Sequence, residues 1–172
     1  MIRRSILTLI VALLASGCGQ IQVHTAYDNT IAFKNYKTFA MMLPNKAVQV
    51  PGNVDPFKML RVRQMAYGQL IASGFKAVEK TKADFVVAVN AMTETKAEVY
   101  GSSGPYRSSF GTGVDYYTEG TLVVEFINLK DKTVTWRGEA KSRITKSTTD
   151  EKAAEVLAAI FAQFPPPAVA AP

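Results

Sequence analysis

The chain has 172 residues, 48% of them hydrophobic and 10% aromatic, with a formal net charge of +6. That composition fits one domain with appendages and excludes wholesale disorder. Of the 20 basic residues, Arg3 and Arg4 precede the first acid, Asp28, which leaves 18 against 14 acidic side chains. An excess this small and this scattered argues against nucleic acid, which calls for a basic stripe interleaved with stacking aromatics.

The N-terminus follows a leader plan. Arg3 and Arg4 form a positive start, and Ile6 to Ala15 form an apolar run of about ten residues. That run is too short to cross the ~30 Å hydrocarbon core of a bilayer. The small residues Ala15, Ser16 and Gly17 follow, then Cys18, the single cysteine of the chain. Residues 1–17 therefore read as a secretory signal peptide. "LASGC" (Leu14 to Cys18) resembles a bacterial lipobox, in which the cysteine sulfur takes a diacylglyceryl group before cleavage and the new amine is then acylated. The usual lipobox leucine lies three residues before the cysteine, where this chain has Ala15. The alternative is an ordinary signal with a free thiol, but a lone cysteine in an oxidising compartment has no disulfide partner. Two or three acyl chains would make desorption from a membrane negligible. Gly19 stands where Gram-negative lipoproteins kept at the inner membrane commonly have aspartate. The resemblance thus implies the inner leaflet of the outer membrane, facing the periplasm.

The mature chain opens with a weakly alternating strand, Ile21 to Asp28. "FKNYKTFAMM" (Phe33 to Met42) gains strand character from Tyr36 onward, and a loop with Pro44, Pro51 and Gly52 follows. The first helix is punctuated by Asp55 at its N-cap, Pro56 at its first turn and Gly74 past its end. Met59, Val62, Ala66 and Leu70 share one face, which Leu60, Tyr67 and Ile71 widen. The basic patch Lys58 to Gln64 reads as the solvated side of that helix.

Phe75 to Lys80 reads as a short strand or the approach to one. Phe85 to Val89 is a continuous apolar run suited to a central strand, and beyond Thr93 the segment turns polar and projects from the core. Gly101 to Gly113 is a glycine- and serine-rich loop without the lysine of a P-loop, hence a hairpin connection. Glu119 to Ile144 reads as two antiparallel strands joined near Asp131 and Lys132. The last helix starts near Thr149 and Asp150, carries Ala153, Val156, Leu157, Ile160, Phe161 and Phe164 at helical spacing, and stops at Pro165. The expected fold class is α+β: a mostly antiparallel sheet with two helices packed on one face, preceded by the cleaved leader. Residues 18–164 form the single domain and 165–172 a flexible Pro/Ala-rich tail.

Several blocks together resemble one family, the bacterial lipoproteins of domain of unknown function 4136. They are "VHTAYD" (Val23 to Asp28), "FKNYKTFA" (Phe33 to Ala40), "ADFVVAV" (Ala83 to Val89), "GTLVVEFIN" (Gly120 to Asn128), "TWRGEA" (Thr135 to Ala140) and "FPP" (Phe164 to Pro166). Members often have tryptophan after "TFA", where this chain has Met41 and Met42. They often have glycine in the last strand turn, where it has Asp131 and Lys132. The resemblance implies an anchored, periplasm-facing domain of undefined role, with no catalytic residues to carry over.

The residues themselves offer little chemistry. His24 is the only histidine, so a catalytic triad or a histidine-rich metal site would have to be built around it alone. Asp28, Asp84, Asp115 and Glu119 sit beside aromatics, and a carboxylate pair could act on a glycan, although capping and ion pairing are the usual roles. Trp136 and Arg137 form either an exposed aromatic-plus-cation recognition spot or a core tryptophan beside an arginine paired to an acid. Tyr100, Tyr106, Tyr116 and Tyr117 flank the glycine-rich loop and make a candidate binding surface. No cofactor or metal is expected. The favoured reading is a non-enzymatic binding or assembly module, held to the membrane by lipid, with an envelope protein or glycan as partner. The alternatives are an envelope hydrolase and a small amphiphile carrier. A hydrolase needs converging titratable groups, a module an exposed apolar patch, and a carrier an apolar pocket between helices and sheet.

Overall fold

The computed structural model describes residues 21–42, 54–100, 113–144 and 150–164. The leader with Cys18, the loop with Tyr106 and the Pro/Ala-rich tail lie outside the described residues. In chain order the elements are β1 (Gln22–Tyr27), β2 (Thr38–Met41), α1 (Pro56–Ala72), β3 (Lys76–Ala77), β4 (Phe85–Tyr100), β5 (Gly113–Ile127), β6 (Val134–Ile144) and α2 (Asp150–Phe161). Short 3-10 turns occupy Phe33–Asn35 and Lys80–Lys82.

The strands form one six-stranded sheet in the order β1-β6-β5-β4-β2-β3. β1, β6, β5 and β4 are antiparallel neighbours, whereas β2 runs parallel to both β4 and β3. The sheet is therefore mixed, which corrects the expectation of a mostly antiparallel one. The cause is α1. A strand–helix–strand passage returns the chain to the end where it began, so the next strand runs alongside the first in the same direction. The Asp84 carboxylate fastens this parallel pair, accepting from the N–H groups of Lys37 (2.9 Å) and Thr38 (2.8 Å) and from Thr38 Oγ1 (2.8 Å).

The helix signals read from the sequence hold for α1. Asp55 accepts from the N–H of Phe57 at 2.8 Å, Pro56 opens the helix, and Gly74 follows it at φ +92°. Met59, Ala66 and Leu70 are buried, but Leu60, Tyr67 and Ile71 are exposed and do not widen the buried face as expected. α1 runs antiparallel to β4. Arg63 Nε donates to the Val89 carbonyl at 3.3 Å, and Phe75, past the helix end, packs on Phe85 with ring centroids 5.5 Å apart. α2 lies beside α1, joined by an Arg61–Asp150 ion pair of 2.8 Å and a Gln69–Ala154 hydrogen bond of 3.1 Å.

Both helices cover one sheet face. Alternate residues of the strands point there: Phe85, Val87 and Val89 from β4, Leu122, Val124 and Phe126 from β5, Trp136 and Ala140 from β6. They meet Met59, Ala66 and Leu70 of α1 and Val156, Leu157 and Ile160 of α2 in one core. Gly138 makes this closeness possible. A Cβ there would stand 2.5 Å from Trp136 Cη2 and 2.6 Å from Ile160 Cγ2.

β4 and β5 outrun their neighbours. β2 leaves β4 at the Met41–Val87 pair, and β6 ends at Ile144 opposite Thr118. Lys96–Tyr100 and Gly113–Tyr117 continue as a two-stranded arm. The expected projection beyond Thr93 is there, and β5 begins at Gly113, well before the expected Glu119.

Candidate functional site

Strand alternation gives the arm two unlike faces. The pairs Ala97–Tyr116 and Val99–Val114 lie on the same side as Val87, Val89 and Ala91, the side that bears the helices. Among the described residues no helix reaches them: Val99 is 68% exposed, Val114 50% and Tyr116 70%. At its root this stripe meets an open apolar cleft of about 140 Å³ between the helix starts and the sheet, lined by Val62, Ala91, Leu122, Ile144, Ala153 and Val156. Gly120 shapes the cleft, because a Cβ there would collide with the Ile144 side chain.

The opposite face is charged. Glu94 stands across from Glu119 and Glu98 from Asp115, like-charge pairs that disfavour the ladder. Cations offset them. Lys96 Nζ lies 2.8 Å from Glu94, and Arg143 lies 2.8 Å from Glu98 with its guanidinium carbon 3.9 Å from the centre of the Tyr117 ring. The shared hydrogen bond holds the Glu94 carboxyl below, and the Lys96 ammonium above, its ordinary value. Further along this face Arg137 contacts Glu125 at 2.8 Å and Glu139 at 3.1 Å. The hydrogen bond that its guanidinium donates to Glu139 leads the causes that raise the Arg137 pKa.

The candidate residues are thus separated. Tyr116 lies on the apolar face, and Tyr117, its chain neighbour, lies on the charged face beneath Arg143. Tyr100 closes β4 opposite Gly113, and Tyr106 lies outside the described residues. Trp136 is fully buried, with its ring centroid 4.8 Å from that of Phe126 and 5.4 Å from that of Phe164. It belongs to the core and is no surface recognition spot; its Nε1 is buried without an acceptor. Arg137 is the acid-paired arginine of the structural alternative. The sequence reading missed Val99 and Val114, although alternation after Thr93 places Ala97 and Val99 on one face.

Of the carboxylates beside aromatics, Asp115 and Glu119 face Glu98 and Glu94 across the ladder, whereas Asp28 and Asp84 lie far apart. Asp28 accepts from Thr30 N–H (2.9 Å) and Oγ1 (2.6 Å), and the hydroxyl bond leads in lowering its pKa. Asp84 is lowered foremost by the Lys37 N–H. These two acids follow β1 and precede β4, which flank β6 and β5. Three strand spacings, about 14 Å, exceed the ~5–9.5 Å between the carboxylates of glycoside hydrolases. Among the described residues, no group of three or more His, Cys, Asp or Glu could hold a metal ion. Nor, among them, is any helix long and apolar enough to cross a membrane.

Residues 23–166 match the model of a family described as a domain of unknown function (DUF4136). No curated protein matches the chain. Among solved structures, the chain resembles a PDZ domain protein from Parabacteroides distasonis at 18% identity and a TM-score of 0.57, covering 85% of this chain and 36% of that one. It also resembles the PelC dodecamer from Paraburkholderia phytofirmans at 13% identity and a TM-score of 0.50, covering 83% of this chain and 95% of that one. The chain thus spans little more than a third of the PDZ domain protein, and at these identities the likeness is one of fold.

Proposed function

This chain belongs to the DUF4136 family, and on that premise we propose that it is a lipid-anchored envelope module that works by contact and not by catalysis. Cys18 carries the lipid, the domain faces the periplasm from the outer membrane, and the arm is its contact surface. The observation that carries this reading is the exposed apolar stripe of Val99, Val114 and Tyr116. A two-stranded arm gains nothing in water from such a face, and contiguous exposed apolar surface marks interaction sites. The titratable groups support the same reading. Asp28, Asp84 and Asp131 are held further into their charged forms by hydrogen bonds from Thr30, Lys37 and Thr133. A general acid or base would instead be poised near the working pH.

Cys18→Ala tests the anchor. It should move the protein out of the membrane fraction and abolish labelling by a fatty-acid probe. Membrane association that survives the substitution, with no label on the wild type, would refute it.

A second reading is favoured by the cleft of about 140 Å³ beside Gly120, whose lining suits an alkyl chain. In that case an Ala153→Leu substitution, which fills the cleft from its helix side, should abolish binding of a fluorescent fatty acid. Equal binding by wild type and variant would dismiss the carrier.

A further inference from the structure

We propose that the arm is a second membrane contact: its apolar face and the first turn of α1 rest on the lipid surface that holds the anchor. The inference rests on the reading of Cys18 as the lipid-bearing residue.

The strand register supplies the direction. Gln22 lies opposite Lys141, Lys141 opposite Thr121, and Thr121 opposite Met92, which sets one level across four strands. β1 runs from that level toward Tyr27, away from the arm, so the chain before Gln22 leaves the sheet on the arm's side.

Length then decides what meets the membrane. Cys18 precedes Gln22 by four residues, a reach of at most ~14 Å at ~3.5 Å per residue. Val99 and Val114 lie seven residues past Met92 and Thr121, about 23 Å at ~3.3 Å per residue. The arm outreaches the tether. A domain hanging from so short a tether, with the arm on the same side, brings Val99, Val114 and Tyr116 to the surface before the tether is taut.

The chemistry of this end fits lipid. α1 runs antiparallel to β4, so its first turn points the same way, and there Phe57 is 73% exposed and Leu60 52%. Tyrosine and large apolar side chains suit the boundary between headgroups and acyl chains. The opposite end of the sheet turns through residues 128–133, where Leu129 is the single apolar residue among Asn128, Lys130, Asp131, Lys132 and Thr133. Glu94, Glu98, Asp115 and Glu119 occupy the arm's other face. Lys58 is exposed in that first turn as well, so the contact is mainly apolar with a cationic edge, and high salt should weaken it only slightly.

The test uses the full chain with its lipid, reconstituted into vesicles of phosphatidylethanolamine and phosphatidylglycerol. Thioether formation at Cys18 leaves no free thiol, so Val114→Cys, Asp115→Cys and Lys130→Cys each supply one site for an environment-sensitive fluorophore. A quencher carried on the lipid tails should dim the label at position 114 strongly, the label at 115 weakly and the label at 130 not at all. High salt should leave that order unchanged. Equal quenching at 114 and 130 would overturn the proposal. So would a blue shift at 114 that appears without vesicles and grows with protein concentration, since the arm would then be pairing with a second copy through its open strand edges. Failure of the anchor has a different signature: the wild-type protein fails to float with vesicles and takes up the fluorophore at Cys18, and the proposal falls with it.

Discussion

The turn between β5 and β6 passes through Lys132 at φ 59°, a left-handed conformation that costs a side-chain-bearing residue free energy which glycine does not pay. A glycine would take this conformation without that cost. Lys132→Gly should therefore raise stability by about 0.5–1 kcal/mol, the left-handed penalty less the entropy glycine loses on folding. The urea midpoint would rise at unchanged slope; a fall would mean that the lysine side chain stabilises the turn. Asp84 makes a prediction of opposite sign. Its carboxyl is held below the ordinary aspartate value, foremost by the Lys37 N–H. A lowered native pKa means stability that is present above the unfolded value and lost as pH falls through the native one. Stability should thus decline on acidification below about pH 4, and Asp84→Asn should flatten part of that decline. At neutral pH the substitution should cost about 1 kcal/mol, because the site is exposed and screened. An unchanged acid profile in the Asp84→Asn variant would remove Asp84 from the account.

At the scale of elements, what could be read in advance depended on whether the signal was local. Asp55, Pro56 and Gly74 mark the ends of α1 because capping is a matter of adjacent residues. The apolar run Phe85–Val89 announced a central strand because its residues are buried on both faces. The neighbours of β2 were not legible, since parallel pairing follows from where α1 returns the chain. Trp136 could be read as a recognition spot or as part of the core, and the core reading holds: it alternates with Gly138 and Ala140, and those small residues leave room for the indole beneath Ile160. Tyr116 and Tyr117 looked like one surface because Gly113–Thr118 lacks the apolar alternation that would have marked it as strand; once it is strand, adjacent tyrosines must part. The arm itself is weakly supported. Among the described residues, only β4 and β5 pair beyond Thr118 toward Gly113, and Glu98 faces Asp115. Arg143, bonded to Glu98 and stacked on Tyr117, fastens it to β6. Arg143→Gln should speed amide exchange in 96–100 and 113–117 while leaving the urea midpoint within about 0.5 kcal/mol of wild type. Unchanged exchange in the arm would show that the ladder holds without it.

At the scale of the whole molecule, the division of labour is between a shared core and an arm that contributes little to it. The parallel half brings Phe39, Phe75 and Phe85 to the end of the sheet away from the arm, and the antiparallel half brings Phe126, Trp136 and Phe164 to the same place. Phe85 and Phe126, with centroids 4.6 Å apart, join the two sets, and neither half retains a complete core without the other. A core built this way unfolds in one cooperative step. Trp136, the only tryptophan, reports from the middle of it. Its fluorescence and the far-ultraviolet circular dichroism should therefore trace one urea transition with a common midpoint. The combined Val99→Ser, Val114→Ser and Tyr116→Ser variant should unfold at that same midpoint, because those side chains already face solvent in the isolated domain. Separate transitions for the two signals would show that the halves fold independently. A shifted midpoint in the triple variant would show that the arm's apolar face is packed within the molecule and is not held in reserve for contact.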